Sequence, residues 1–380
     1  MKKTLGILTV LLCATPMVYA QADGDAAIES SDVAMALNGA AKGNVIDSGT
    51  CGKNVNYELY DDYTLRIFGK GAMYNYNYIY SLQRLYSDAP WSSWDSKIKS
   101  VVIEDGVTRI GAYTFCFFSS LTEVNIPNTV TSIGRGAFRD CTALKKIYIP
   151  NSVTAIGAYA FWHCGSLAEV NIPDGIETID EGVFADCDSL AHIDIPNSVT
   201  SIGNSAFSEC FSLTEIIIPD GVTSIGENAF GWCDNLKYVK IGKGVTVIAD
   251  FAFFNDYTNR KIEIEIAAET HVTLLDAMVL YYGEYEPNST SAFGFSINSE
   301  DITIRVPDTM LDDYRNSEDW LYYKEQLYGL GSTGISSVGD GQSAIKAYVV
   351  YDLQGRRVTE MQPDRIYIVN GKKVVNKYRD

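Results

Sequence analysis

The sequence predicts a solenoid of stacked 23-residue coils, and three observations predict it. A phenylalanine recurs at Phe115, Phe138, Phe161, Phe184, Phe207, Phe230 and Phe253, always 23 residues apart. Two aliphatic columns keep the same period: Ile133, Ile156, Ile179, Ile202 and Ile225 lie five residues before a Phe, and Leu144, Leu167, Leu190, Leu213 and Leu236 six after one. Prolines share it at Pro127, Pro150, Pro173, Pro196 and Pro219. A unit this small has no room to bury its own apolar face, so copies must stack, and each column becomes a continuous ladder inside the stack.

In chain order, the N-terminus reads first as a secretory signal. Lys2 and Lys3 form a charged start, residues 5–12 an apolar stretch, and Pro16 a break before Val18, Tyr19 and Ala20. Cleavage is expected after Ala20 or Ala22, so residues 1–22 are removed and the mature chain is secreted or held at the outer cell surface. A lipoprotein reading on Cys13 is disfavoured by Leu12, where a small residue is normally needed. No later stretch reaches the roughly 20 apolar residues of a membrane helix, so no transmembrane segment is expected in the mature chain.

The rest of the chain has ample apolar content for a core, at 46% hydrophobic residues over 380 positions. Its 30 basic against 48 acidic side chains give a formal charge of -18, whose field repels nucleic acid and anionic lipid and excludes both as partners. Tyrosines number 25 and cluster at Tyr74, Tyr76, Tyr78 and Tyr80 and at Tyr322, Tyr323 and Tyr328. Such clusters suit contact with an extracellular protein or glycan.

Within each repeat, the segment Leu-x-x-Ile-x-Ile alternates apolar with polar residues and ends at Pro, which predicts a short parallel strand on a concave side. The segment Ile-Gly-x-x-Ala-Phe is too short for a long helix and predicts brief extended or 3-10 pieces on a convex side. A 23-residue period lies in the leucine-rich-repeat range, so the fold class is a leucine-rich-repeat solenoid with capped ends. Side chains between the ladder positions of each strand should point outward. They form two columns: Ser100, Glu123, Lys146, Glu169, His192, Glu215, Tyr238 and Lys261, then Val102, Asn125, Tyr148, Asn171, Asp194, Ile217, Lys240 and Glu263. These positions vary where the interior columns hardly do. Lys146, Tyr148, Glu169, Asn171, His192, Asp194, Tyr238 and Lys240 are therefore the candidate ligand-binding residues, on a face roughly 34 Å long for eight strands.

One full unit, residues 199–219, reads Val-Thr-Ser-Ile-Gly-x-x-Ala-Phe-x-x-Cys-x-x-Leu-x-x-Ile-x-Ile-Pro. This pattern resembles the repeat of BspA-like bacterial surface proteins, over roughly residues 98–266. Ser48, Gly49, Thr50, Cys51 and Gly52, then residues 69–73 and 89–91, resemble that family's N-terminal cap. Residues 304–307 with Leu311, Tyr314, Trp320 and Tyr323 resemble its last modified repeat and capping helix. Residues 351–358 and 366–375 resemble the C-terminal sorting module of proteins exported by a type IX secretion route. That tail carries Arg356, Arg357, Arg365, Lys372, Lys373, Lys377 and Arg379 against Glu360 and Asp364, and its simplest structure is a hairpin turning at Asn370 and Gly371. The resemblance implies adhesion to host or neighbouring-cell macromolecules and attachment to the outer surface through the tail. The implied plan is a signal at 1–22, linker and cap at 23–97, repeats at 98–266, modified repeat and cap at 267–331, and linker plus sorting-like module at 332–380.

Chemistry-bearing residues read as structural. Cys141, Cys164, Cys187, Cys210 and Cys233 share one repeat column, where parallel side chains favour small buried thiols over disulfides. The pairing of Cys51 with Cys116 stays open. No metal site is expected, with three His and no Cys-x-x-Cys pair. Gly329, Gly331 and Gly334 match a dinucleotide fingerprint without its strand-turn-helix context and read as linker. His163 beside Cys164 is no thiol dyad if Cys164 is interior. No nucleophile elbow or phosphate loop is present, and scattered acids on a solenoid lack the deep pocket of a glycosidase. Neither catalysis nor a cofactor is expected. Asn288, Ser289 and Thr290 read as a polar loop. A surface spacer or coat protein, and a glycan-binding accessory protein, are the competing functions.

Overall fold

The computed structural model describes residues 43–81, 85–254, 262–274, 302–317 and 319–331, with short C-terminal strands at 350–351, 357–358, 366–369 and 372–375. The signal with Cys13, Lys261, Asn288 and the residues at 370 and 371 lie outside the described residues.

Two parallel strand ladders run along the stack. The first holds Ser100–Ile103, Glu123–Asn125, Lys146–Ile147, Glu169–Val170, Glu215–Ile218, Tyr238–Ile241, Ile262–Ile266, Ile302–Val306 and Leu327–Gly329. The second holds Val107–Ile110, Ser132–Ile133, Ala155–Ile156, Thr178–Ile179, Ser201–Ile202, Ser224–Ile225, Val247–Ile248 and Thr273–Leu274. Pairing is parallel and one coil apart, as in Ile202 opposite Ile225 and Lys146 opposite Glu169. The convex segment is thus a short strand, two residues long from Ser132–Ile133 onward, that ends at the Ile before each Gly, and no 3-10 turn occurs among the described residues of the repeats. Glycine is the physical reason the coils close up here: a Cβ at Gly134, Gly157, Gly203 or Gly226 would lie 2.5, 2.7, 2.8 or 2.6 Å from the backbone of the preceding coil.

The third side is built of turns and still forms an inter-coil ladder. The amides of Phe138, Phe161, Phe184 and Phe207 donate to Ala160, Val183, Ala206 and Ala229 of the next coil. Sustaining this bond set requires left-handed backbone at Phe117, Asp140, His163, Asp186, Glu209 and Trp232, and again four residues earlier in each coil. Side chains there cost about 1–2 kcal/mol each relative to the right-handed form, which the paired amides must offset. Gly136 and Gly182 relieve two of these positions and make room for the rings of Tyr113 and Tyr159.

The core follows the periodic columns. The seven Phe rings stack with centroids 5.1–5.5 Å apart, and from Phe138 to Phe253 their planes lie within 14° of parallel. Each is buried, as are the Ile and Leu columns. Burial of one such side chain contributes about 1.5–3 kcal/mol. Cysteine thiols of the column donate to the carbonyl of the Phe 26 residues earlier, at 3.1–3.4 Å. All seven described cysteines are free and buried, so Cys51 and Cys116 do not pair.

Both ends are closed by tryptophan. An antiparallel meander of Val45–Gly52, Val55–Tyr60 and Thr64–Gly69 joins the first ladder through Thr64 opposite Ser100. Trp91 covers the first Phe of the stack and donates through Nε1 to the Thr114 carbonyl at 2.8 Å. At the other end Trp320 Nε1 donates to the Val272 carbonyl at 2.7 Å, beside the short helix Leu311–Asn316 and the buried Tyr314. Beyond that helix, Leu327–Gly329 adds one more rung opposite Ile304–Val306. Gly329 therefore belongs to a strand and not to a linker. The C-terminal strands form a separate antiparallel sheet, in which Ile366–Val369 and Lys372–Val375 pair as a hairpin with Val369 opposite Lys372. Among the described residues, no helix is long and apolar enough to cross a membrane.

Candidate binding face

The outward positions of the first ladder fall into three stretches with different chemistry. At the N-terminal end the second column is closed: Val102 is buried, contrary to its expected outward placement, and buried Asn125 donates through Nδ2 to the Ile103 carbonyl at 3.2 Å.

The middle stretch is open. Lys146 and Glu169 stand side by side in register and are exposed, and Tyr148 beside Lys146 is 58% exposed. Glu215 and Ile217 follow on the same face, Ile217 at 56% exposure. Three of the expected ligand residues here make bonds within the protein. Asn171 accepts from Ile149 N at 2.9 Å and donates to the Ile149 carbonyl at 2.7 Å, replacing a rung of main-chain pairing with its side-chain amide. His192 Nε2 lies 3.2 Å from Asp194 Oδ1 on a coil segment that forms no strand.

At the C-terminal end the spacing changes. Tyr238 pairs with Glu263 and Lys240 with Glu265, a 25-residue step, so the outward pair of that rung is Glu263 and Glu265 in place of the expected Lys261 and Glu263. Tyr238 donates to Glu265 Oε2 at 3.0 Å, and Lys240 Nζ lies 3.3 Å from Glu265 Oε1. Glu263 in turn receives Arg305 Nε at 2.8 Å. Sequence reasoning missed Glu265 and Arg305 because steps of 25 and then 40 residues break the period that locates the rungs of the regular repeats.

Away from this face, the described residues bring His271, Ser317 and Asp319 together. The residue types are those of a hydrolytic triad, but the connectivity is different. Ser317 Oγ and Asp319 Oδ1 approach the same ring nitrogen, His271 Nε2, at 3.2 and 3.3 Å, and Ser317 donates to Asp319 directly. Asp319 also accepts from Leu274 N at 3.0 Å. This cluster ties the cap to the last coil, and His271 lies 46 and 48 residues before Ser317 and Asp319 with no motif to announce the meeting. The Tyr-rich run is divided: Tyr76 packs edge-on to Trp91, whereas Tyr80 and Tyr74 are exposed. His163 is outward and holds Asp140 at 2.6 Å, while Cys164 is interior. On that turn edge, burial and the neighbouring Asp186 raise Glu209 and Asp188 above the usual carboxylate range. No group of three or more His, Cys, Asp or Glu among the described residues is placed to hold a metal ion.

Stacked coils of this period, with parallel ladders and capped ends, define a leucine-rich-repeat solenoid. Residues 93–214 and 200–273 match the family described as BspA type Leucine rich repeat region, in 6 copies. Among solved structures the chain is similar to a leucine-rich repeat protein of T. pallidum, at 28% identity over 53% of this chain and 74% of that one, with a TM-score of 0.33. It is also similar to one from Bacteroides ovatus, at 19% identity over 76% and 99% of the two chains and a TM-score of 0.30. A third, from Eubacterium ventriosum, gives 22% identity over 60% and 82% with a TM-score of 0.26. Among curated proteins none matches this chain.

Proposed function

We propose that the protein is secreted or displayed on the outer cell surface and binds an extracellular protein or glycan through the outward residues of its first strand ladder, without catalysis. One observation carries the reading: interior columns repeat almost unchanged, while the outward positions differ from coil to coil and include the exposed Tyr148 and Ile217. Folding of the stack needs the interior to repeat, and it places no such demand on the outward positions. Exposed aromatic and aliphatic side chains among Lys146, Glu169 and Glu215 are the composition of a recognition surface on a rigid support. Lys146, Tyr148 and Glu169, with Glu215 and Ile217, are its open centre. His192 and Asp194 lie on the coil between Glu169 and Glu215 and remain exposed beside that centre, while Asn171, Tyr238 and Lys240 hold the surrounding geometry through their internal bonds. The signal-like N-terminus supports export, and the basic tail supports attachment through a C-terminal module.

The test is an array of matrix proteins and glycans probed with the exported chain. Tyr148→Ala and Ile217→Ala together should weaken a captured ligand at least tenfold with no change in melting temperature. Asn204→Ala and Glu227→Ala on the second-ladder side should leave binding intact. The opposite pattern would remove the proposal.

A further inference from the structure

A second site is suggested where the N-terminal cap meets the first coil, away from the first ladder. A cavity of about 460 Å³ opens there between the turn at Lys53 and Asn54, the segment from Lys70 to Asn75, and Arg109 of the second ladder. That volume is in the range of about 300–1,000 Å³ usual for small-molecule sites.

Its charge is opposite to that of the protein. The lining holds Lys53, Lys70 and Arg109 and no acid, on a chain whose formal charge is -18. None of these three cations has an ion-pair partner among the described residues, although other basic residues of the solenoid, such as Arg66, Lys240 and Arg305, do. Arg109 is held in place by donating through Nη2 to Asn75 Oδ1, which also accepts from Ala112 N at 2.9 Å. The Nε of the same guanidinium is buried and has no partner. A guanidinium that lines the cavity and is fixed at one corner through Nη2 is arranged for an oxyanion. Tyr74, which is 49% exposed, and the exposed Asn54 also line the cavity. Gly71 also lines the cavity, with nothing within 4 Å of where a Cβ would stand.

We propose that this cavity binds an anionic sugar, a pyranose carrying a carboxylate or a sulfate ester. The anion sits at Arg109 between Lys53 and Lys70, the ring lies against Tyr74, and Asn54 receives hydroxyl groups. A neutral sugar has nothing to neutralise the three cations.

Titration calorimetry with the full exported chain tests this, using a glucuronate-containing disaccharide, an O-sulfated counterpart and the neutral parent sugar. At least one acidic sugar should bind, the neutral parent at least tenfold more weakly, and raising salt from 50 to 500 mM should weaken the acidic ligand several-fold. Lys53→Gln with Lys70→Gln, both at exposed positions, should reduce affinity at least tenfold without moving the melting temperature, and Arg109→Gln should abolish it. The relative affinity of the two acidic arms identifies the anion. Equal binding of the neutral sugar, full affinity in the double lysine variant, or no binding of either acid at millimolar concentration would overturn the assignment.

Discussion

The indole of Trp91 lies nearly flat on the ring of Phe115, with centroids 5.9 Å apart and planes 18° from parallel. Trp91 stands outside the 23-residue period, yet it ends the phenylalanine stack, and Tyr57 and Tyr76 meet it edge-on at 5.0 and 5.9 Å. Without it the first Phe would face water. Trp91→Ala is expected to cost about 3–5 kcal/mol. Chemical denaturation reads the effect, and an unchanged midpoint would show that the cap does not depend on the indole.

Phe207 lies between Phe184 and Phe230 at 5.5 and 5.1 Å and is fully buried. Phe207→Ala should lose about 3–5 kcal/mol and Ile202→Ala about 2–5 kcal/mol, because the rungs on either side are pinned by their own ladders and have little freedom to collapse into the gap. A wild-type melting curve for Phe207→Ala would contradict the stack.

Burial pushes the thiols of Cys51, Cys116 and Cys233 up to about 12 from the ordinary 9.0. Cys141, Cys187 and Cys210 are shifted in the same direction by the same cause. A native pKa above the unfolded one contributes stability that is complete below pH 9 and is lost as pH climbs from 9 toward 12. The urea midpoint should therefore fall steeply across that window, and less steeply in Cys233→Ala. Thiol reagents at pH 8 should label these cysteines only after denaturant is added. Rapid native labelling of Cys187 would refute the interior placement.

Asn171 bonds both main-chain groups of Ile149. Asn171→Ala leaves that amide and carbonyl without partners and should destabilise by about 1–3 kcal/mol. Ligand capture should then follow stability and recover at lower temperature. A large loss of binding in a variant of unchanged stability would instead make Asn171 a direct contact.

Exported material should begin at Gln21 or Asp23 if residues 1–22 act as a signal. N-terminal sequencing decides it, and an intact Met1 on secreted protein would count against export by this route.

By itself the sequence determined the solenoid, its period and its interior, because a 23-residue unit can bury Phe, Ile and Leu only by stacking, and that demand repeats in every copy. The Cys column was legible for the same reason. The binding face was legible only in outline: alternation says which side chains leave the core, but not what they meet outside it. Tertiary structure alone decided that Asn171 turns back to Ile149, that Val102 is covered, and that Tyr238 and Lys240 converge on Glu265 after a coil two residues longer than the 23-residue repeats before it. The caps at residues 89–91 and around Trp320 were legible by resemblance, but the contacts of Trp91 with Phe115 and of Trp320 with Val272, and the meeting of Lys53, Lys70 and Arg109 at one cavity, were not. Those contacts join residues from different coils and caps, related by no period, so their partners are set by packing across the stack and not by local pattern.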